Sequence, residues 1–294
     1  MLLTDKPTST SPKHKIPAEG RQTGQWEAEG VASGYKTFAS TEPYTSANRH
    51  LISQLAANGI SLTGTTVLDL GSGTGSGTQL IAEVVGPTGH VLGIDQSQQM
   101  TDFATKTMAG LTNTHFIQGD VLKLDQLHLP SVQGIFAFNS ITLFPSLPEV
   151  LVTLFELLPP GGVLAVNNTL IQDALDSANM GAMLAFTKRI LAINKREGVT
   201  RSAAAHTPFP SSCELRSKIE RVGFNILNFD LSSFALSRED MRSYAHVPGV
   251  FCDILPDSVP QEKRVSLLDE ALNLLDSDAS FPRRWCSIVA VKPY

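Results

Sequence analysis

The sequence predicts an α/β protein built on a seven-stranded, mainly parallel sheet, with helices on both faces and an antiparallel last strand. Three observations lead there. Short apolar runs alternate with helical patterns between Thr66 and Asn167. A glycine-rich turn follows the first of these runs. Two extended apolar segments, Phe224 to Leu236 and Cys286 to Val291, come one after the other late in the chain, where they would pair as an antiparallel edge.

Residues 1–24 are rich in Ser, Thr, Pro and Lys and lack apolar periodicity, which reads as a flexible tail. Residues 25–294 then form one domain, with structure expected from about Trp26. Between Ser46 and Gly59, the residues Leu51, Ile52, Leu55 and Ala56 recur at helical spacing, and Gly59 supplies a stop. Strands are expected at Thr66 to Leu70, His90 to Asp95, Thr114 to Gln118, Gly134 to Phe138 and Gly162 to Asn167, each short, apolar and bounded by turn residues. Helical patterns fall between most of them, at Thr78 to Val85, Gln98 to Ala109 and Leu147 to Leu158. Ser211 and Glu214 form a capping-box signature that opens a further helix, with Leu215, Ile219 and Val222 on its apolar face and Gly223 at its end.

Two stretches exceed what a minimal sheet-and-helix unit needs. Residues 171–210 carry Leu175, Ala178, Ala182, Phe186 and Ile190 on one helical face. Residues 237–283 hold a helix from Ser237 and another from Pro260, the second with Val265, Leu268, Leu272 and Leu275 in register. Both insertions precede a strand, near the carboxyl ends of the parallel strands where such folds bind ligands, and both are expected to form a helical lid.

The chemistry gathers around Val67-Leu68-Asp69-Leu70 and the glycines at 71, 73, 75 and 77. Gly71 and Gly73 can adopt positive φ and admit a ligand close to the backbone, while Gly75 opens a helix whose N–H groups favour a carboxylate or phosphate. A dinucleotide site would repeat glycine as GxGxxG, but the third position is Ser76 counting from Gly71 and Thr78 counting from Gly73. That weakens a nicotinamide-dependent oxidoreductase and leaves it as an alternative, together with a cofactor-binding module that does no chemistry. Asp95 ends the second strand 20 residues beyond Gly75, where its carboxylate can accept from both hydroxyls of a ribose. Its structural alternative is an N-cap for the helix from Gln98, a task Ser97 could perform instead. Asp120 follows the third strand, placed to accept from an adenine amino group while the N–H of Val121 donates to the ring. As an isolated Gly-Asp pair it would read as a turn.

VLDLGSGTG (67–75), VLGIDQSQQM (91–100), IQGDVLKL (117–124) and LLPPGGVLAV (157–166) resemble, in order and spacing, the successive motifs of class I S-adenosylmethionine-dependent methyltransferases, and in particular the small-molecule branch that includes ubiquinone and menaquinone methyltransferases. The resemblance covers about residues 26–236 and the final strand, and implies a Rossmann-like fold with S-adenosylmethionine as cofactor. It implies that Asp69, Gly71, Gly73 and Gly75 hold the methionine portion, Asp95 the ribose, and Asp120 with Val121 the adenine. Gln96 and Met100 match positions beside the adenine ring, and Asn139 the position nearest the transferable methyl. Tyr35 is similar to an N-terminal aromatic that closes over the cofactor in small-molecule members. Enzymes that methylate exocyclic or amide nitrogens typically carry Asn/Asp-Pro-Pro-aromatic after the fourth strand; here that place reads Phe138-Asn139-Ser140-Ile141-Thr142, which narrows the acceptors.

Composition narrows them further. A formal charge of -5 with scattered Lys and Arg offers no footprint for a nucleic acid. Cys213, Cys252 and Cys286 are odd in number and far apart, suggesting no disulfide framework and no metal site, hence a reducing cytoplasm. Neither a signal peptide nor a membrane span is expected. The acceptor is expected to be a small, fairly hydrophobic metabolite methylated on O or N, with Met180, Met183, Phe186, Phe209, Met241 and Phe251 as adaptable contacts in the lid. If that atom carries a proton, a base is needed. His246, beside Tyr244 and Pro248, is the chosen candidate over His206, while His50, His90, His115 and His128 are assigned to structure.

Overall fold

The computed structural model describes residues 26–27, 30–169, 181–200, 210–244, 247, 255 and 259–294. The expected tail, His206, His246, Pro248, Cys252 and the apolar candidates Leu175, Ala178, Met180, Phe209 and Phe251 lie outside the described residues.

The elements are, in order, α1 (Val31–Ala39), α2 (Glu42–Ala57), β1 (Thr66–Leu70), α3 (Ser76–Val85), β2 (His90–Asp95), α4 (Gln98–Thr107), β3 (Thr114–Gln118), β4 (Gly134–Phe138), α5 (Leu147–Leu157), β5 (Val163–Thr169), α6 (Gly181–Arg196), α7 (Ser212–Val222), β6 (Asn225–Leu236), α8 (Arg238–Ser243), α9 (Gln261–Asn273) and β7 (Phe281–Val291). 3₁₀ segments lie at Val121–Leu127, broken by a kink at Lys123, and at Ile141–Leu143. The sheet order is β3-β2-β1-β4-β5-β7-β6. β1 to β5 pair in parallel, and β7 runs antiparallel to both β5 and β6, as the two late apolar segments predict. The order reverses between β1 and β4, so their carboxyl ends diverge and leave a crevice there.

The central strands are apolar on both faces because helices cover both. On one side Leu68, Ile94, Ile135, Leu164 and Ile288 pack with Val150, Leu151 and Leu154 of α5 and with Leu215 and Ile219 of α7. On the other, Val67, Val91, Phe136 and Val289 meet Leu51 and Leu55 of α2 and Ile81 and Val85 of α3. The Ser211–Glu214 capping box forms reciprocally, and Gly223 ends α7 with φ 114°. A second box, Ser237 with Asp240, opens α8.

Three departures from the sequence reading matter for the site. Helix α1, for which apolar periodicity gave no signal, exists and carries Tyr35. Helix α2 starts at Glu42, not Ser46, because Thr41 is the extended N-cap and Pro43 sits in the first turn, where a missing N–H costs nothing. Strand β7 begins at Phe281, five residues before Cys286, pairing Phe281 with Leu236; Pro282-Arg283-Arg284 hid that extension, and the last residues of the 237–283 insertion are strand.

The inserted helices build a third apolar cluster. Phe186 and Ile190 of α6, Met241 of α8, and Leu268 and Leu272 of α9 pack with Phe38 and Tyr44 of the N-terminal helices and with Phe281 and Trp285 of β7. Phe186 and Met241 are each 1% exposed. They fill this core, with Phe186 edge-on to Phe281, and are not among the residues that line the clefts described below. Met183 packs at the margin of the same cluster.

Candidate functional site

Two clefts meet at the carboxyl ends of β1 and β4 and share Tyr35 and Gly71 as a common wall. The larger is lined by Asp95, Gln96, Met100, Asp120, Val121, Gly73 and Asn139, with Trp26, Ser140 and Phe144 also on its wall. The smaller reaches Asp69, Ser72, Thr74, Ser76, Tyr44 and Asn48. Ten of the eleven residues singled out around the glycine turn therefore border one cleft or the other. Gly75 does not: it is the left-handed N-cap of α3, seated against Phe116 beneath the turn.

The turn is held by backbone bonds that cross to β2. The N–H groups of Gly71 and Ser72 both donate to the carbonyl of Ile94, at 2.8 and 3.1 Å. Gly71 has φ +67°, and a Cβ there would lie 2.5 Å from Cβ of Ser140; at Gly73, φ +52°, it would meet the Tyr35 ring at 3.2 Å. Both demands, conformation and space, select glycine.

Asp95 is fixed before any ligand arrives. Its two carboxylate oxygens accept from the N–H of Gly73 and of Ser97, each at 2.9 Å. Burial raises its pKa, and those N–H groups act against the rise. The N-cap of α4 is Ser97, whose hydroxyl accepts from Met100 N at 3.2 Å, so Asp95 is free of capping duty. Asp120 does serve its turn, accepting from Leu122 N at 2.9 Å, while also bordering the larger cleft.

Asp69 interrupts a strand that is otherwise apolar and is 1% exposed. It accepts from the Thr78 hydroxyl at 2.6 Å, and burial pushes its pKa up to about 7 despite that bond. Beside it, the hydroxyls of Ser72 and Thr74 are buried and without a hydrogen-bond partner among the described residues. Lys36 donates to the Ser76 hydroxyl at 3.1 Å, with its pKa lowered by burial. A buried carboxylate, two unpartnered hydroxyls and an ammonium at a helix N-terminus suit a ligand bearing both an ammonium and a carboxylate. The Tyr35 phenol, bonded to Tyr44 and pushed up to about 12 by burial, stays neutral.

Asn139 stands at φ +54° after β4 and borders the larger cleft, with its side-chain amide bonded within the protein. Its Oδ1 accepts from the Trp285 indole at 2.9 Å; its Nδ2 makes long bonds of 3.4 Å to Asn48 and Asn167. Its backbone N–H donates to the Asn167 carbonyl at 2.9 Å. Asn48, Asn167 and Trp285 went unnoticed in the sequence, although two asparagines in the buried run LAVNNT were a readable signal. Away from the clefts, His50 binds Asp230 at 2.8 Å and Ser232 at 2.9 Å, tying α2 to β6 in the structural role expected of it.

Comparison with known proteins bears on this geometry. Residues 61–209 match the family model described as "Methyltransferase domain". An arsenite methyltransferase of Halobacterium salinarum is 35% identical over 111 residues, 36% of this chain and 27% of the relative. A demethylmenaquinone methyltransferase of Staphylococcus aureus is 34% identical over 110 residues, 36% of this chain and 44% of the relative. The matched segment thus spans less than half of either relative. Among solved structures, the YcgJ protein of Bacillus subtilis aligns with TM-score 0.51 at 16% identity, over 83% of this chain and 98% of that one. The (4+2) cyclase SpnF aligns with TM-score 0.52 at 18% identity, over 84% of this chain and 81% of that one. At such identities the likeness is one of fold.

Proposed function

The chain belongs to the methyltransferase domain family, a class I S-adenosylmethionine-dependent methyltransferase, and from that premise we propose that it methylates an O or N atom of a small, fairly hydrophobic metabolite beneath its inserted helices. In this reading the larger cleft takes the adenosine half of the cofactor, with Asp95 accepting from the ribose hydroxyls, Asp120 and Val121 facing the adenine edge, and Gln96 and Met100 beside the ring. The smaller cleft takes the methionine end. There Asp69 faces the α-ammonium, and Ser72, Thr74 and Lys36 face the carboxylate. The observation that carries the reading is this last one: two buried hydroxyls, without partners among the described residues, line a cleft that shares Tyr35 and Gly71 with the Asp95 cleft.

S-adenosylmethionine supplies a methyl group on a sulfonium, to be displaced in line by the acceptor. The chain's own work is then alignment and exclusion of water, and effective molarities for oriented reactants reach roughly 10⁵–10⁸ M. Gly71 and Gly73 let the backbone approach the ligand. Asn139, held by Trp285, fixes the end of β4, and Tyr35 covers the turn as a neutral phenol. The helices within 171–210 and 237–283 act as the lid. A carboxylate acceptor needs no base; for a hydroxyl or ring N–H acceptor, His246, two residues beyond Tyr244, is the proposed base.

The family's fold also serves SpnF, named as a cyclase, so turnover must be measured directly. Incubation with S-adenosylmethionine labelled on the methyl group and an extract of the producing organism should give a labelled small product. Label retained in the cofactor, or binding of NADH in preference to S-adenosylhomocysteine, would overturn the proposal.

A further inference from the structure

The first two described residues, Trp26 and Glu27, contribute to the larger cleft in a way no motif announces. The Trp26 ring borders that cleft, stands edge-on to Tyr35 at 5.5 Å and packs with Val31, Ala32, Met100 and Phe103. What keeps it there is polar. The Trp26 carbonyl accepts from the Ser97 hydroxyl at 3.2 Å. The Glu27 carboxylate accepts from the N–H of Gln98 at 2.9 Å and of Gln99 at 3.4 Å, and the Gln99 side chain donates back to the Glu27 carbonyl.

Gln98 and Gln99 open α4, so their N–H groups have no partner within the helix. With Glu27 on those two, Ser97 on Met100 N and the N–H of Ser97 itself on Asp95, all four orphan donors are satisfied, two of them by a residue 71 or 72 positions away. A carboxylate is also the charge that a helix N-terminus favours. Ser97 joins the two systems, since its N–H holds Asp95 and its hydroxyl holds Trp26. Ser97 is therefore common to the support of the ribose-facing carboxylate and of the tryptophan wall.

Resting on the cofactor reading above, we propose that Trp26 is a further cofactor-contacting residue, an aromatic wall for the adenosine half, and that Glu27 is the positioning residue that holds it by capping α4. An indole offers apolar area with little side-chain freedom to lose, which suits a wall against a nucleoside.

The chain has two tryptophans, Trp26 and Trp285, so intrinsic fluorescence reports on the proposal. Saturating S-adenosylhomocysteine should change the emission of the wild type, and W26F should lose most of that change. W26A should raise the Kd for S-adenosylhomocysteine and the KM for S-adenosylmethionine about tenfold, with kcat within about twofold. E27A should raise both constants severalfold, and E27Q should recover part of the loss because its amide oxygen still accepts. Circular dichroism identifies any variant that fails to fold, in which case W26F and E27Q decide. Wild-type Kd values in W26A and E27A, with D95A weakened, would overturn this inference alone. Wild-type affinity in D95A as well would overturn the cofactor reading beneath it.

Discussion

The glycine-turn half of the molecule and the cluster of inserted helices are fixed by different forces. Around the turn, backbone N–H groups and carboxylates do the holding: Gly71 and Ser72 on Ile94, Gly73 and Ser97 on Asp95, Glu27 on α4. In the helical cluster, Phe186, Ile190, Leu268, Leu272 and Phe281 share an apolar core, and the ion pairs Arg196–Glu270 and Arg242–Asp269 join the helices at its surface. The difference teaches where tolerance lies. The glycine-turn side depends on specific atoms and on the absence of a side chain at Gly71 and Gly73, whereas the helical side depends mainly on filled volume.

The largest effect that would test this contrast is on stability. I190A empties a site 1% exposed in the helical cluster and should cost about 3 kcal/mol in urea denaturation. Its affinity for S-adenosylhomocysteine, measured by calorimetry, should fall less than about threefold, because no atom of the turn moves. Affinity that fell in proportion to stability would mean that the two regions are one unit. W285F tests the joint between them, since Trp285 packs among the inserted helices and donates to Asn139. Loss of that bond leaves a polar oxygen without its donor and should cost about 1–2 kcal/mol. Turnover should fall with it, more through kcat than through KM for the cofactor. A variant with unchanged kcat would restrict Trp285 to packing.

The smallest expected effect is a pH dependence. Asp69 is raised from its ordinary value of 3.8 to about 7 by burial. Ionising it therefore costs the folded protein stability, an expense absent below about pH 4 and complete once the pH has passed 7. A ligand ammonium placed against Asp69 reverses the preference, so affinity for S-adenosylhomocysteine should rise from pH 6 to pH 7.5. D69N should flatten that rise; a rise that persists in D69N would assign it to another group.

The two regions also differ in how far the sequence announced them. The strands β1 to β4, the turn and the spacing from Gly75 to Asp95 were legible, because each rests on local chemistry: apolar runs, glycine at positive φ, a carboxylate at a strand end. Asp69 could be read as well, as an acid inside an apolar strand. The partners of these residues could not. Glu27 meets Gln98, Asn48 meets Asn167 and Trp285 meets Asn139 across 71 to 146 positions, and nothing in the local pattern pairs them. In the helical insertions, periodicity identified Phe186 and Ile190 as one face of a helix but could not say what that face meets. Phe186 and Met241 show why: an apolar face turned to a neighbouring element has the same period as one turned to a ligand. Among the described residues no helix is long and apolar enough to cross a membrane.

The central claim is that the cleft at the ends of β1, β2 and β4 is organised around Asp95 for a ribose-bearing cofactor. Calorimetric titration of S-adenosylhomocysteine into the wild type and D95A tests it most directly. Loss of charge-assisted bonds to two hydroxyls should weaken binding by about 2 kcal/mol or more, about 30-fold in Kd. Equal affinity in the two proteins would contradict the account.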